Sequence, residues 1–274
     1  MDLRRNILIS GCPRSGTSWV HFLISNHPDA ITCRETHLYD KYIGPLKDWF
    51  DKEKLYKGND GLSALYSESE FIENILTPLV EQVFNKISEN SEVNKVVVEK
   101  TPASILHHQL IHKIQNDVLM IFVVRDPRAV YASFKAGSTE PWGSWMKKGL
   151  IDFCLSWNKY VIAYIAAKNY WKENRLTLVK YEDLKLHSNI ELSKLFDSLA
   201  LDYTPEMIQE IVNENVIEKL RDAPEESIRH DKRKGFYRNG KAFGWVEELS
   251  LAEIKEIEFY CKDIMSLFGY KIHN

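Results

Sequence analysis

The residues able to do chemistry fall at the ends of short apolar runs. Ile7-Leu8-Ile9 leads into Gly11-Cys12-Pro13-Arg14-Ser15-Gly16-Thr17-Ser18, and then into Trp19-Val20-His21-Phe22-Leu23-Ile24, whose apolar residues recur at helical spacing. A strand, glycine loop and helix in this order aim backbone N–H groups and the positive end of the helix dipole into one small volume. That is a cradle for phosphate or sulfate. Gly11 and Gly16 have the separation of the ATP-binding loop G-x-x-x-x-G-K-[ST], but Thr17 stands where its lysine belongs, and the cation is Arg14, inside the loop.

Further candidates lie at later strand ends. Ala30-Ile31-Thr32-Cys33 reads as a short strand and delivers Glu35 to its carboxyl end, the edge where open parallel sheets bind ligands. Glu35 is either a general base or a surface carboxylate paired with Arg34. Val96-Val97-Val98 reads as a buried strand ending in Glu99-Lys100-Thr101-Pro102, which makes Lys100 a second cation for the same site. The most apolar strand, Val118 to Val124, ends in Arg125-Asp126-Pro127-Arg128. A nucleotide triphosphatase would place a magnesium-holding Asp at such a strand end; here Arg125 comes first. Pro127 suits the first turn of a helix, on which Ser133 lies two turns beyond Arg125 and on roughly the same side. Arg128 reads as an N-terminal surface charge or a carboxylate partner.

These stretches resemble sulfotransferases that use 3′-phosphoadenosine 5′-phosphosulfate (PAPS). Cys-Pro-Arg-Ser-Gly-Thr-Ser-Trp at 12–19 is similar to their 5′-phosphosulfate loop, with the Arg of the tyrosylprotein branch where cytosolic members usually have Lys. The resemblance implies that Arg14, Ser15, Gly16, Thr17 and Ser18 hold the donor, that Arg125 and Ser133 bind its ribose 3′-phosphate, and that Trp19 and Tyr181 approach adenine. Trp19 and Tyr181 also read as core aromatics. Cys33-Arg34-Glu35-Thr36 matches the branch in which Glu is the base, and the cytosolic Lys-Thr-His is broken by Pro102, which removes a histidine base and favours Glu35. The basic segment Arg229 to Lys241, followed by Phe243-Gly244-Trp245, loosely resembles the family's closing loop. There Arg233, Lys234 and the Gly235 amide either cover the 3′-phosphate or form a solvated charge run. Catalysis is then expected from Glu35, Arg14 and Lys100, with PAPS as co-substrate, 3′-phosphoadenosine 5′-phosphate (PAP) as product, and no metal.

The elements that must position these residues alternate strand and helix. This predicts a single α/β domain over 1–274, three layers around a mostly parallel sheet, the P-loop-like fold of the resembled family. Amphipathic spacing predicts helices from Phe71 to Ile87, Leu150 to Trp171 and Leu251 to Leu267. Residues 37–67 have no clean period and read as acceptor-facing structure or as a surface excursion. Trp142 and Trp145 wall an acceptor pocket or cover a helix end. His107, His108 and His112 share a helix without a carboxylate at metal-ligand spacing.

A net charge of −3 with 27% charged residues excludes a whole-surface attraction to nucleic acid or anionic membrane. Cys12, Cys33, Cys154 and Cys261 show no zinc or redox spacing and are expected as reduced thiols. A strand beginning by Ile7 leaves no room for a leader, and no run of about 18 apolar residues follows. The expectation is a cytoplasmic enzyme without an integral membrane segment. Its acceptor is expected to be a small-molecule, natural-product or lipid-linked hydroxyl, with an amine as the other choice. The rivals are a metal-dependent kinase using ATP and a nucleotide-binding protein without turnover.

Overall fold

The computed structural model describes residues 6–55, 60–89, 95–225, 227, 229, 231, 233, 235–238 and 240–272. The strands are β1 (Ile7–Gly11), β2 (Ala30–Thr32), β3 (Val96–Lys100), β4 (Leu119–Val124) and β5 (Leu176–Lys180). The helices of the first half are α1 (Thr17–Ser25), α2 (Gly44–Leu55), α3 (Glu68–Phe71), α4 (Thr77–Ser88), α5 (His108–Ile114) and α6 (Pro127–Ser138). Those of the second half are α7 (Leu150–Ala167), α8 (Tyr181–Leu186), α9 (Ser188–Leu199), α10 (Pro205–Glu214), α11 (Ile217–Arg221), α12 (Trp245–Glu248) and α13 (Leu251–Leu267).

Among the described residues the five strands form one sheet in the order β2-β3-β1-β4-β5, with every pair parallel. A parallel sheet needs both faces covered, which is why its strands are apolar without alternation. In β4, Leu119, Ile121 and Val123 pack with Val20, Leu23 and Ile24 of α1 and with Phe196 of α9. The alternate residues Met120, Phe122 and Val124 pack on the other face with Trp157 of α7, Ile111 of α5 and Ile257 of α13. Burying each such side chain contributes about 1.5–3 kcal/mol. The helices are therefore bound to two cores, one per face.

β1 is central, with β3 on one side and β4 on the other. The chain leaves β1 toward β2 and leaves β4 toward β5, so a crevice opens between the carboxyl ends of β1 and β4, the switch point where such sheets bind ligands. The helix expected from Phe71 to Ile87 opens as a π-helical turn, Ile72–Leu76, before α4; the one starting at Leu150 ends at Ala167, and Leu251–Leu267 has the expected bounds. The 37–67 stretch is more regular than its sequence suggests. A π-helical turn, Leu38–Ile43, runs directly into α2, because buried Leu38, Tyr39, Ile43 and Phe50 tie it to the core at an irregular spacing. No described helix is long and apolar enough to cross a membrane.

Candidate active site

A cavity of about 490 Å³ opens over the carboxyl ends of the strands, and most of the expected site residues line it. Arg14, Gly16, Thr17, Ser18 and Trp19 enter from the loop after β1, Glu35 from beyond β2, Arg125 and Ser133 from after β4, Tyr181 from the end of β5, and Arg233 from the basic segment.

The loop after β1 is held in a backbone shape that opens its amides. Arg14 lies at φ 71 and Gly16, which caps α1, at φ 96. A methyl group at Gly16 would meet the ring of Tyr181, so glycine is required both by conformation and by that close approach. No side chain caps α1 and its first turn has no acidic residue, which leaves the amino-terminal N–H groups for an anion. For Arg14 the left-handed conformation costs on the order of 1 kcal/mol. Its side chain offsets this by bonding Ser133 Oγ through Nε at 3.0 Å and the Phe236 carbonyl through Nη2 at 2.9 Å.

Arg125 donates to the Arg14 carbonyl at 3.3 Å and to the Lys241 carbonyl at 3.0 Å, and its guanidinium stacks 4.2 Å from the centre of the Tyr181 ring. Arg14 and Arg233 share the Phe236 ring, at 4.9 and 4.1 Å. Burial, then the charges of Arg125, Arg233 and Arg238, bring the Arg14 guanidinium down to about 10. Cations gathered this closely want a common anion. One buried polar atom of the cavity wall, Arg125 Nε, has no hydrogen-bond partner among the described residues. A bound phosphate or sulfate group fits that deficit.

Trp19 and Tyr181 meet edge to face, with ring centres 5.6 Å apart, and Trp19 Nε1 donates to the Asn215 carbonyl at 3.0 Å. Both rings line the cavity. Lys185 caps the Trp19 ring at 5.0 Å.

On the opposite side of the loop, Lys100 is buried at the end of β3 and donates to Ser18 Oγ at 3.2 Å, and it forms an ion pair with Glu35. Glu35 lines the cavity, and Lys100, its partner, is buried behind it rather than in the wall. The loop carrying it is fixed from behind by Glu99, whose carboxylate accepts from the Thr36 N–H, the Thr36 hydroxyl and the Thr101 hydroxyl at 3.1, 2.8 and 2.6 Å. Burial raises the Glu99 carboxyl above the usual range.

Some expectations are refined. Ser15 is buried behind the loop rather than in the cavity wall. Gly235, at φ 72, lies beside Glu140 and outside the wall, and Lys234 lies outside the described residues. Arg128 is no surface charge: it is buried, bonded to Asp126 and Glu258 and stacked on Trp245. Trp145 lines the cavity, whereas Trp142 packs at a tilt against Phe236, with its ring under the Arg14 guanidinium. His108 bonds Tyr170 and His112 bonds Arg175. From the 37–67 stretch, read as acceptor-facing or as a surface excursion, His37, Asp40 and Lys41 face the cavity, and so does Tyr160 of α7, which the sequence did not single out. The one sequence signal for Glu99 was a carboxylate inside an otherwise apolar strand.

The sequence profile described as "Sulfotransferase family" matches residues 6–205. The chain belongs to the sulfotransferase family. Among curated relatives, sulfotransferase 1 family member D1 of Mus musculus is 22% identical over 271 residues, covering 92% of this chain and 81% of the relative. Among solved structures, this sulfotransferase superposes on mouse sulfotransferase SULT7A1 complexed with PAP with a TM-score of 0.62 at 15% identity, over 96% of this chain and 85% of the other. It also superposes on the sulfotransferase domain from the curacin biosynthetic pathway, with a TM-score of 0.63 at 16% identity and full coverage of both chains. At these identities the superpositions establish a shared fold.

Proposed function

We propose that this sulfotransferase, acting as one domain over residues 1–274, moves the sulfuryl group of PAPS to a hydroxyl or amine of a small-molecule, natural-product or lipid-linked acceptor, with Glu35 as general base. The observation that carries this reading is the meeting of Glu35 and Lys100 beside Ser18 at the start of α1, which puts a base and a cation at the anion loop. PAP in SULT7A1, a protein of the same fold, supports the donor class.

The loop from Arg14 to Trp19 would hold the phosphosulfate end. Arg125, Ser133 and Arg233, with Lys234 and the Gly235 amide, would hold the 3′-phosphate, and Trp19 and Tyr181 the adenine. The donor supplies an activated sulfuryl group and a stable bisphosphate leaving group. Arg14 and Lys100 neutralise charge on the sulfuryl oxygens and the departing phosphate, in a site dry enough for fixed charge to count. Glu35 removes the acceptor's proton once an anion has drawn Lys100 away from it. Positioning supplies much of the remaining rate. The free thiols of Cys12, Cys33, Cys154 and Cys261 support a cytoplasmic setting, where thiols stay reduced.

The test is thermal unfolding with PAP in one sample and ATP plus magnesium in another. PAP at about a hundred times its dissociation constant adds roughly 2.7 kcal/mol, and that stabilisation is expected to survive a chelator. Stabilisation by ATP with magnesium and none by PAP overturns the assignment in favour of a kinase.

A further inference from the structure

His37 begins the π-helical turn Leu38–Ile43 from a left-handed backbone conformation, φ 52, and its side chain lines the cavity. Its own N–H donates to Thr101 Oγ1 at 3.2 Å, which pins it to the end of β3. The ring bridges two carboxylates. Nδ1 is 3.1 Å from Asp40 Oδ2, and Nε2 is 3.4 Å from Glu35 Oε2. The other Glu35 oxygen, Oε1, belongs to Lys100.

The two oxygens of Glu35 therefore have separate partners, an ammonium on one and an imidazole on the other. A neutral imidazole carries a single N–H. With Asp40 accepting from Nδ1, that proton is placed there, and Nε2 is left without a proton 3.4 Å from Glu35 Oε2. Asp40 then stands where it stabilises an imidazolium, as a carboxylate does in other acid–base pairs.

We propose that His37 is a proton relay for Glu35, with Asp40 holding its tautomer. The inference rests on Glu35 being the base. As the acceptor's electron pair bonds sulfur, its O–H or N–H bond breaks and an O–H bond forms on Glu35. That proton passes to His37 Nε2, where an N–H bond forms and the imidazolium is balanced by Asp40. Glu35 returns to carboxylate, and His37 loses the proton to solvent. Other charges face this chain from neighbouring elements. Lys100 stands behind Glu35, the charge of Arg233 acts on Glu35 from the basic segment, Lys41 lies in the same wall, and His107 faces Asp40 from the turn before α5. As pH falls, a protonated His37 can no longer take the proton, so the relay imposes an acid limb on kcat.

The test uses His37→Asn, since Asn tolerates the left-handed conformation, together with Asp40→Asn and Glu35→Gln. In the full chain without ligand, the nitrogen chemical shifts of the His37 ring are followed by NMR, and Asp40→Asn is expected to move the ring away from the Nδ1–H tautomer. With PAPS and a simple phenol as acceptor probe, His37→Asn is expected to lower kcat by about tenfold or more and to abolish the acid limb, leaving the PAP-induced thermal shift intact. A His37→Asn enzyme with full kcat and the same limb overturns the relay, as does a ring tautomer that Asp40→Asn leaves unmoved. Full turnover in Glu35→Gln instead overturns the assignment of Glu35 as base.

Discussion

The Glu99 carboxylate accepts from both the backbone N–H and the hydroxyl of Thr36, at 3.1 and 2.8 Å, and so anchors the loop that carries Glu35 to the end of β3. Removing that anchor leaves the half-buried Thr36 N–H and the buried Thr101 hydroxyl without their acceptor. Glu99→Ala is expected to cost about 1–3 kcal/mol of stability, the usual penalty for an orphaned buried donor, and to lower kcat well below what the loss of folded protein explains. Urea denaturation alongside turnover per folded molecule separates the two effects. Wild-type turnover in the folded fraction would show that Glu35 is placed without Glu99.

Glu35→Gln keeps the shape of the base and removes its proton affinity, so turnover should fall by more than about a hundredfold. PAP should still stabilise this variant, because none of the residues assigned to donor binding is changed. Arg14→Ala should lose turnover on a similar scale and should also lose donor affinity. Calorimetric titration with PAP distinguishes the two variants; equal affinities would remove Arg14 from donor binding.

Arg125 bridges the carbonyls of Arg14 and Lys241 and stacks on Tyr181. Arg125→Ala is expected to weaken PAP binding by about tenfold or more, the scale of one charge-assisted hydrogen bond. It should do so more than it lowers kcat at saturating donor. An unchanged PAP dissociation constant would remove Arg125 from the phosphate site.

Buried His21, its ring bonded to Thr32, is held down to about 3 from its ordinary 6.5, first by burial and then by the charge of Lys100. The folded state therefore binds fewer protons here than the unfolded state between pH 6.5 and about 3. The sign follows: stability from this group is complete above pH 6.5 and is lost as pH falls toward 3. His21→Gln should flatten the loss of unfolding temperature over that range. A variant with the wild-type slope would place the acid sensitivity elsewhere.

Gly16 sits at φ 96 against the Tyr181 ring. Gly16→Ala should destabilise the chain by at least about 1 kcal/mol through backbone strain, and should weaken PAP binding by moving Tyr181. Thermal unfolding with and without PAP reads both. An unchanged ligand-induced shift would mean that Tyr181 does not help hold the nucleotide.

The sequence by itself determined the alternation of elements, because parallel strands buried on both faces must be continuously apolar, and Leu119 to Val124 is legible for that reason. It also determined the anion loop, since Gly16 and Arg14 are local requirements of one turn. The placement of Arg14, Lys100, Arg125 and Tyr181 near strand ends was likewise readable, because each comes within a few residues of its apolar run. Only the tertiary structure decided who meets whom. Arg14 reaches Ser133 and Phe236, Glu35 reaches Lys100, and Arg128 is buried against Glu258, through contacts between residues far apart in sequence. His37 and Asp40 were legible only as part of a stretch that faces the acceptor or the surface, because their turn gains its regularity from packing of Tyr39, Ile43 and Phe50 into the core rather than from a periodic pattern of its own. A sequence states the chemistry available at each strand end; the order β2-β3-β1-β4-β5, imposed by covering both faces of one sheet, decides which of those ends share a cavity.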